Sequence, residues 1–282
     1  MFNTVEHTKR LARVDLAVLD GVLCPGSKAK ISVRDDGLLR GDGAFELIRV
    51  YGGRAFALDE HLARLAASCA GLRLEHDGHA VRADIEQLLS AAAGVDCDLR
   101  IVLTRGGRQI LLLEPQRRYE ARARLGFITY SPSGVLDGLK SISYGANMLA
   151  TRLARERGHD EALLVSPSGD VLEAPTASLF WVGADGVVRT PPLDLGILAS
   201  ITRAVVIELA EAEETRCRKD DALDCPEAFL VSTTREVQPV VAIEGHPLGG
   251  APGRRTRELM RAYRDHVNTH PETEARLTSA CR

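Results

Sequence analysis

Lysine is scarce in this 282-residue chain: of 36 basic residues only Lys9, Lys28, Lys30, Lys140 and Lys219 are lysines, and the rest are arginines. Arginine serves wherever a fixed positive charge suffices, because its guanidinium stays protonated in proteins. A lysine kept in an apolar, small-residue stretch is therefore a candidate for an amine that must lose its proton, and Lys140 is so placed. Other scarcities exclude whole classes. A net charge of only −3 offers no dominant basic face to nucleic acid or to an anionic membrane. No apolar run is long enough to span a bilayer, and the first ten residues lack the apolar core of a signal peptide. Together these predict a cytoplasmic protein. The six cysteines, Cys24, Cys69, Cys97, Cys217, Cys225 and Cys281, lie far apart with no Cys-x-x-Cys. Such spacing predicts reduced thiols and no metal site.

With 45% apolar residues the chain is long enough for two medium cores. Glycine pairs and Asp-Gly steps punctuate it into short strands. Phe45 to Tyr51 turns at Gly52-Gly53 into Arg54 to Leu58, and Ser178 to Val182 turns at Asp185-Gly186 into Val187 to Arg189. Asp59 then reads as the cap of a helix with Leu62, Leu65, Ala66, Cys69 and Leu72 on its apolar stripe. His61, Arg64 and Ser68 form a polar stripe beside it. Further helices are predicted from His79 to Ala92, Tyr144 to Arg157, Ser200 to about Ala212 and Arg254 to Val267. Tight turns between short strands favour antiparallel sheet over a doubly wound parallel one, so the predicted class is α+β. The charged segment 114–124, with Pro115, is the best linker. It divides a small N-terminal domain, 1–118, from a larger C-terminal one, 125–282, that carries Lys140.

From Lys140 the chain reads Lys-Ser-Ile-Ser-Tyr-Gly-Ala-Asn, then Asp-Glu-Ala-Leu-Leu-Val over 160–165, then Val-Leu-Glu-Ala-Pro-Thr-Ala-Ser-Leu-Phe-Trp over 171–181. This run resembles the fold-type IV pyridoxal-phosphate-dependent enzymes, the class IV aminotransferases, which include D-amino-acid and branched-chain aminotransferases and aminodeoxychorismate lyases. The resemblance extends from about Gly41 to Pro239. It implies the two-domain architecture of that fold, with mainly antiparallel sheets and flanking helices, and a homodimer whose partner subunit lines part of the site.

Carried over to this sequence, the resemblance makes Lys140 the Schiff-base lysine of pyridoxal 5′-phosphate and Glu173 the carboxylate on its pyridine nitrogen. Without it, Glu173 is a strand-end glutamate in water. Arg64, in His-Leu-Ala-Arg-Leu, becomes the phosphate arginine, and Tyr144 a partner of the ring hydroxyl. Ile201-Thr202 opens a helix whose N-terminal N–H groups suit a phosphate, although Ser200 also reads as a plain cap. Thr234, in Ser-Thr-Thr-Arg-Glu, is the corresponding hydroxyl of a second loop.

For substrate, Phe45 begins the wall of the site, and Arg100 and Arg108 are candidates for binding a carboxylate. The Arg-x-His pair usual in the D-amino-acid branch is missing after Thr104-Arg105-Gly106. The implied activity is ping-pong transfer of an amino group between an amino acid, D- or branched-chain, and a 2-oxo acid. The alternative is a lyase that releases pyruvate and 4-aminobenzoate from 4-amino-4-deoxychorismate.

Overall fold

The computed structural model describes residues 14–250 and 252–269, so Lys9, Cys281 and the N-terminal decapeptide lie outside the described residues. The chain divides into two compact units, one of residues up to 117 with 139–143, the other of residues 118–138 with 144–268. Among the described residues no helix is long and apolar enough to cross a membrane.

In the first unit, β1 (Leu16–Leu19) and β2 (Val22–Pro25) form a hairpin whose turn residues Asp20 and Gly21 both have positive φ, the conformation of the tightest two-residue turns. A short helix α1 (Asp36–Arg40) leads into β3 (Gly43–Tyr51) and β4 (Arg54–Ala55), which turn at Gly52 and Gly53. With β5 (Cys97–Thr104) and β6 (Gln109–Glu114) these strands make a six-stranded antiparallel sheet in the order β2-β1-β6-β5-β3-β4. Alternate residues of each strand face opposite ways. Ala44, Ile48 and Val50, with Leu99, Ile101 and Leu103, share the core with α2 (Leu58–Gly71) and α3 (Gly78–Ala92). Phe45 and Leu47, with Val102 opposite Phe45, belong to the other face.

Two local expectations change here. The strand expected to return over Arg54 to Leu58 pairs only as far as Ala55, and Asp59 does not cap α2. Phe56 and Ala57 are buried, Ala57 occupies the cap position in a left-handed conformation, and Asp59 lies in the first turn, where its charge favours the helix dipole. The α3 cap does follow the usual rule: the Asp77 side chain accepts from the N–H groups of His79 and Ala80.

The edge of β3 that β4 leaves uncovered is taken by residues 139–143. Ser141 bridges Ala44, the Phe45 N–H donates to the Lys140 carbonyl and the Ile142 N–H to the Gly43 carbonyl, each at 3.0 Å. Leu139 packs against Gly71, and Ser143 Oγ donates to the Gly41 carbonyl at 2.8 Å. All five residues of the segment are thereby fastened.

The second unit is a ten-stranded sheet. Its elements are β7 (Ala123–Thr129), α4 (Gly145–Glu156), β8 (Glu161–Val165), β9 (Asp170–Val171), β10 (Ser178–Val182), β11 (Val188–Thr190) and α5 (Ile201–Ala210). There follow β12 (Glu213–Glu214), β13 (Cys217–Arg218), α6 (Lys219–Asp224), β14 (Glu227–Ser232), β15 (Glu236–Ile243), β16 (His246–Pro247) and α7 (Arg254–Thr269). The order is β12-β11-β10-β14-β15-β7-β8-β9-β13, with β16 on β15. Most neighbours are antiparallel, as the turns predict. β7, however, runs parallel to both β8 and β15, and β11 parallel to β12. Parallel partners need long connections, and turn residues signal only the short ones.

Gly43 is where the sheet and the added segment meet. A Cβ there would intrude on the Leu103 carbonyl and reach 3.0 Å from the Ile142 side chain, whereas one at Gly78 would meet nothing within 4 Å. Gly43→Ala is expected to lose about 1–3 kcal/mol in urea unfolding, and Gly78→Ala none. Equal stability of the two variants would show that the packing of 139–143 on β3 tolerates displacement.

Candidate active site

Glu46 is fully buried on the helix-facing side of β3. A carboxylate without water is tolerated only when charged or hydrogen-bonding donors replace the solvent. Arg64 supplies two: its Nε donates to Oε1 at 2.7 Å and its Nη2 to Oε2 at 2.8 Å. His61 Nδ1 supplies the third, 2.8 Å from Oε2. Burial alone would push the Glu46 carboxyl up, but the Arg64 guanidinium with His61 outweighs it and holds the group well below the usual carboxylate range. For His61, burial is the largest influence and lowers its pKa. Glu46 opposes this, while Arg64 and Lys140 add to the lowering, leaving the net value below 6.5. A neutral ring beside an ionised carboxylate places its proton on Nδ1 and leaves a lone pair on Nε2. That Nε2 is buried with no hydrogen-bond partner among the described residues.

The stripe formed by His61, Arg64 and Ser68 therefore faces inward, not to solvent as an all-polar i, i+3, i+7 pattern suggests. His61 and Ser68 are buried and the Arg64 side chain is 11% exposed, because Glu46 and the backbone of residue 140 engage them. The Lys140 N–H donates to Ser68 Oγ at 3.1 Å, and its Nζ lies 4.3 Å from the centre of the Phe45 ring. Phe45, His61, Arg64 and Lys140 thus gather around one end of β3. Arg100 and Arg108 are engaged elsewhere. Arg100 makes a two-pronged pair with Glu114, at 2.6 and 2.9 Å, and Arg108 pairs with Asp20.

In the second unit, Glu173 follows β9 and its carbonyl accepts from the Leu164 N–H at 2.9 Å, which fixes the backbone against β8. Its Oε1 accepts from the Leu198 N–H at 3.2 Å. The hydroxyl of Tyr144 donates to the Pro175 carbonyl at 2.9 Å, two residues beyond Glu173, and Asn147 donates to the same oxygen at 3.1 Å. Tyr130 was not singled out from sequence, because at a strand end it carries no motif. Burial and the negative charges of Glu173 and Asp137 raise its pKa. Ser200 does cap α5, its Oγ accepting from the Arg203 N–H at 3.3 Å. The N–H groups of Ile201 and Thr202, both buried, then have no acceptor inside the helix. Thr234 is buried at the β14–β15 turn, its hydroxyl 2.9 Å from that of Tyr119.

The fold and these arrangements define a class of enzyme, and comparison with known proteins agrees with them. Residues 43–243 match the family Amino-transferase class IV, and the chain belongs to that family. The D-alanine aminotransferase of Bacillus licheniformis is 30% identical over 89% of this chain and 96% of that protein. A putative branched-chain-amino-acid aminotransferase of Methanocaldococcus jannaschii is 32% identical over 88% of this chain and 94% of its own length. Among solved structures, the branched-chain aminotransferase of Thermoproteus uzoniensis with norvaline superposes with a TM-score of 0.84 at 27% identity, covering 91% of this chain and 95% of that one.

The family is pyridoxal-phosphate dependent, and the donors present fit that cofactor chemically. Lys140 carries the kind of amine with which an aldehyde condenses, and Glu173 the kind of carboxylate that pairs with a protonated ring nitrogen. The buried N–H groups at the start of α5 and the hydroxyl of Thr234 suit a phosphate.

Replacing Glu46 tests the buried cluster. Glu46→Ala strands the Arg64 charge and is expected to cost about 3–5 kcal/mol of unfolding free energy. The depressed carboxyl also fixes a pH dependence. Below 4.5 the unfolded chain takes up a proton that native Glu46 refuses, so stability falls with pH there. Below 6.5 the unfolded histidine protonates before native His61 does, which acts in the same direction. Urea titrations of wild type and Glu46→Gln between pH 8 and 3 should show the loss below 4.5 much reduced in the variant. Parallel curves would refute the assignment.

Proposed function

We propose that the protein moves an amino group between an amino acid and a 2-oxo acid in a ping-pong cycle on pyridoxal 5′-phosphate. When bound, that cofactor supplies an aldehyde that exchanges amines and a protonated ring that withdraws electrons from the substrate Cα. Lys140 holds the cofactor at rest through its amine. Its free amine would take the Cα proton and return it. Glu173 would hold the ring nitrogen protonated by accepting its N–H. The Ile201 and Thr202 N–H groups and the Thr234 hydroxyl would bind the phosphate, the role that the family resemblance also gives Arg64. Tyr144 borders the Glu173 loop from the side of α4 and serves the ring hydroxyl.

The observation that carries this reading is Lys140 itself: a lysine in an arginine-rich chain, on a segment fastened at every residue, with its Nζ against Phe45. Fixing the backbone on both sides of the amine limits what it can reach, which proton transfer at a single atom requires. The relatives named for D-alanine and for branched-chain amino acids support an amino donor with a small or branched apolar side chain. Phe45 and Val102, opposite each other, offer it apolar contact at one end of a sheet face that Arg100 shares. Arg100 and Arg108, already paired with Glu114 and Asp20, are the weaker candidates for a substrate carboxylate.

An absorbance scan of the purified protein, repeated after adding D-alanine, L-leucine and aminodeoxychorismate separately, tests the proposal. Conversion of the cofactor band to its amine form by one of the amino acids is expected, with release of the matching 2-oxo acid. Lys140→Ala should lower turnover by at least on the order of a thousandfold. Release of pyruvate and 4-aminobenzoate without band conversion would replace amino transfer by elimination, and absence of any band after adding cofactor would end the reading.

A further inference from the structure

Tyr119 stands out in the second unit because it belongs to no sheet or helix, yet it is held from two sides. Its hydroxyl lies 2.9 Å from Thr234 Oγ1, and the guanidinium of Arg235 sits 4.3 Å over its ring. Arg235 is in turn held through both of its terminal nitrogens, while its buried Nε has no hydrogen-bond partner among the described residues. It donates to Gln238 Oε1 at 2.8 Å and to Thr176 Oγ1 at 3.1 Å, and it pairs with Glu161, both side chains of that pair being at most 6% exposed. Glu161 is itself steadied by the Thr151 hydroxyl at 2.6 Å. Gln238 returns to the strap, donating to the Glu120 carbonyl at 2.7 Å. Residues 119–120 are therefore tied to the turn at 232–236 by both contacts of Tyr119, and to β15 by Gln238. The turn also carries Glu236 at a φ of 56°, a conformation that needs surrounding contacts to persist.

A threonine hydroxyl has one proton and rotates freely unless a neighbour fixes it. Either hydroxyl of the pair can donate; when the phenol donates, it occupies one Thr234 lone pair and the threonine proton is directed away from Tyr119, toward an acceptor such as an anion. We propose that Tyr119, with Arg235 holding its ring, is a positioning residue that aims the Thr234 hydroxyl at the cofactor phosphate. The proposal rests on the reading of Thr234 as a phosphate contact made above. Neither Tyr119 nor Arg235 is placed to touch the cofactor. Both act through Thr234.

The consequence is specific to the phosphate. Loss of the Tyr119 hydroxyl should weaken binding of pyridoxal 5′-phosphate and leave binding of pyridoxal, which lacks the phosphate, unchanged. Tyr119→Phe is the appropriate variant because it keeps the ring under Arg235, whereas removing Arg235 would strand the buried Glu161 carboxylate and threaten folding.

The experiment is titration of the full-length protein, stripped of cofactor, with each of the two aldehydes, for wild type, Tyr119→Phe, Thr234→Val and the double variant. Thr234→Val is expected to reduce the preference for the phosphorylated form about tenfold or more, as loss of a charge-assisted hydrogen bond does. Tyr119→Phe should reduce it about fivefold, and the double variant no further than Thr234→Val alone. A reduced preference in Thr234→Val with none in Tyr119→Phe would overturn the positioning role while the phosphate contact stands. Equal weakening of both aldehydes by Tyr119→Phe would make Tyr119 merely structural and overturn it too. No change in Thr234→Val would remove the phosphate contact, and the proposal with it.

Discussion

A carboxylate with no access to water organises the first unit. Glu46 projects from β3 into the layer beneath the sheet, where the Arg64 guanidinium compensates its charge and His61 adds a hydrogen bond. The geometry demanded of those partners fixes the rotation of α2 about its axis and its height along β3. Because Ser68 lies one helical turn beyond Arg64 and receives the N–H of Lys140, the same constraint reaches the segment that carries the amine. β3 thus uses all of its surfaces: Glu46 toward the helices, Phe45 on the opposite face, and the free edge for residues 140–142. Well-packed apolar residues in place of the cluster would hold the helix about as firmly, since buried ion pairs repay little more than their desolvation. What it would lose is the orientation of a guanidinium and a neutral imidazole.

The second unit solves a comparable problem with different parts. Its polar groups sit at the ends of strands and at the start of a helix, where backbone pairing gives out and side chains or anions must satisfy what remains. Glu173 is held by the backbone of β8 and by Leu198, and Tyr144 and Asn147 converge on the carbonyl of Pro175. Arg235 shows the economy of the arrangement: one guanidinium serves Glu161, Gln238, Thr176 and the ring of Tyr119. A planar fork with five donors is suited to this, and a lysine is not. The abundance of arginine and scarcity of lysine in the chain match that division of labour, with arginine used to build and lysine reserved.

Much of this was legible in the sequence, for identifiable reasons. Asp20-Gly21, Gly52-Gly53 and Asp185-Gly186 mark hairpins because few residues tolerate the backbone such turns need, and strands lie on both sides of each. The helices beginning near Gly78, Gly145, Ile201 and Arg254 were evident from their periodicity and caps. What was not legible depends on contacts between residues distant in the chain. The parallel pairing of β7 with β8 and β15 leaves no mark on any one strand. His61 and Arg64 looked like a solvated stripe because their partner, Glu46, lies on a strand with its own good alternation of residues. Tyr119 and Arg235 gave no sign at all, since a tyrosine in a charged linker and an arginine in a turn are ordinary until their mutual contact is seen.

The docking of residues 139–143 on β3 also bears on the order in which the protein is made. The first unit is interrupted at residue 117, and the five residues that close its edge leave the ribosome only after β7. At about 5–20 residues per second the interval lasts seconds. Throughout it the nascent sheet carries half a strand of unsatisfied N–H and C=O groups beside Gly43 and Phe45, the kind of edge that recruits other chains. Lys140 is thus part of the latch that ends the vulnerable period. A protein cut after its sixth strand would keep that edge open permanently.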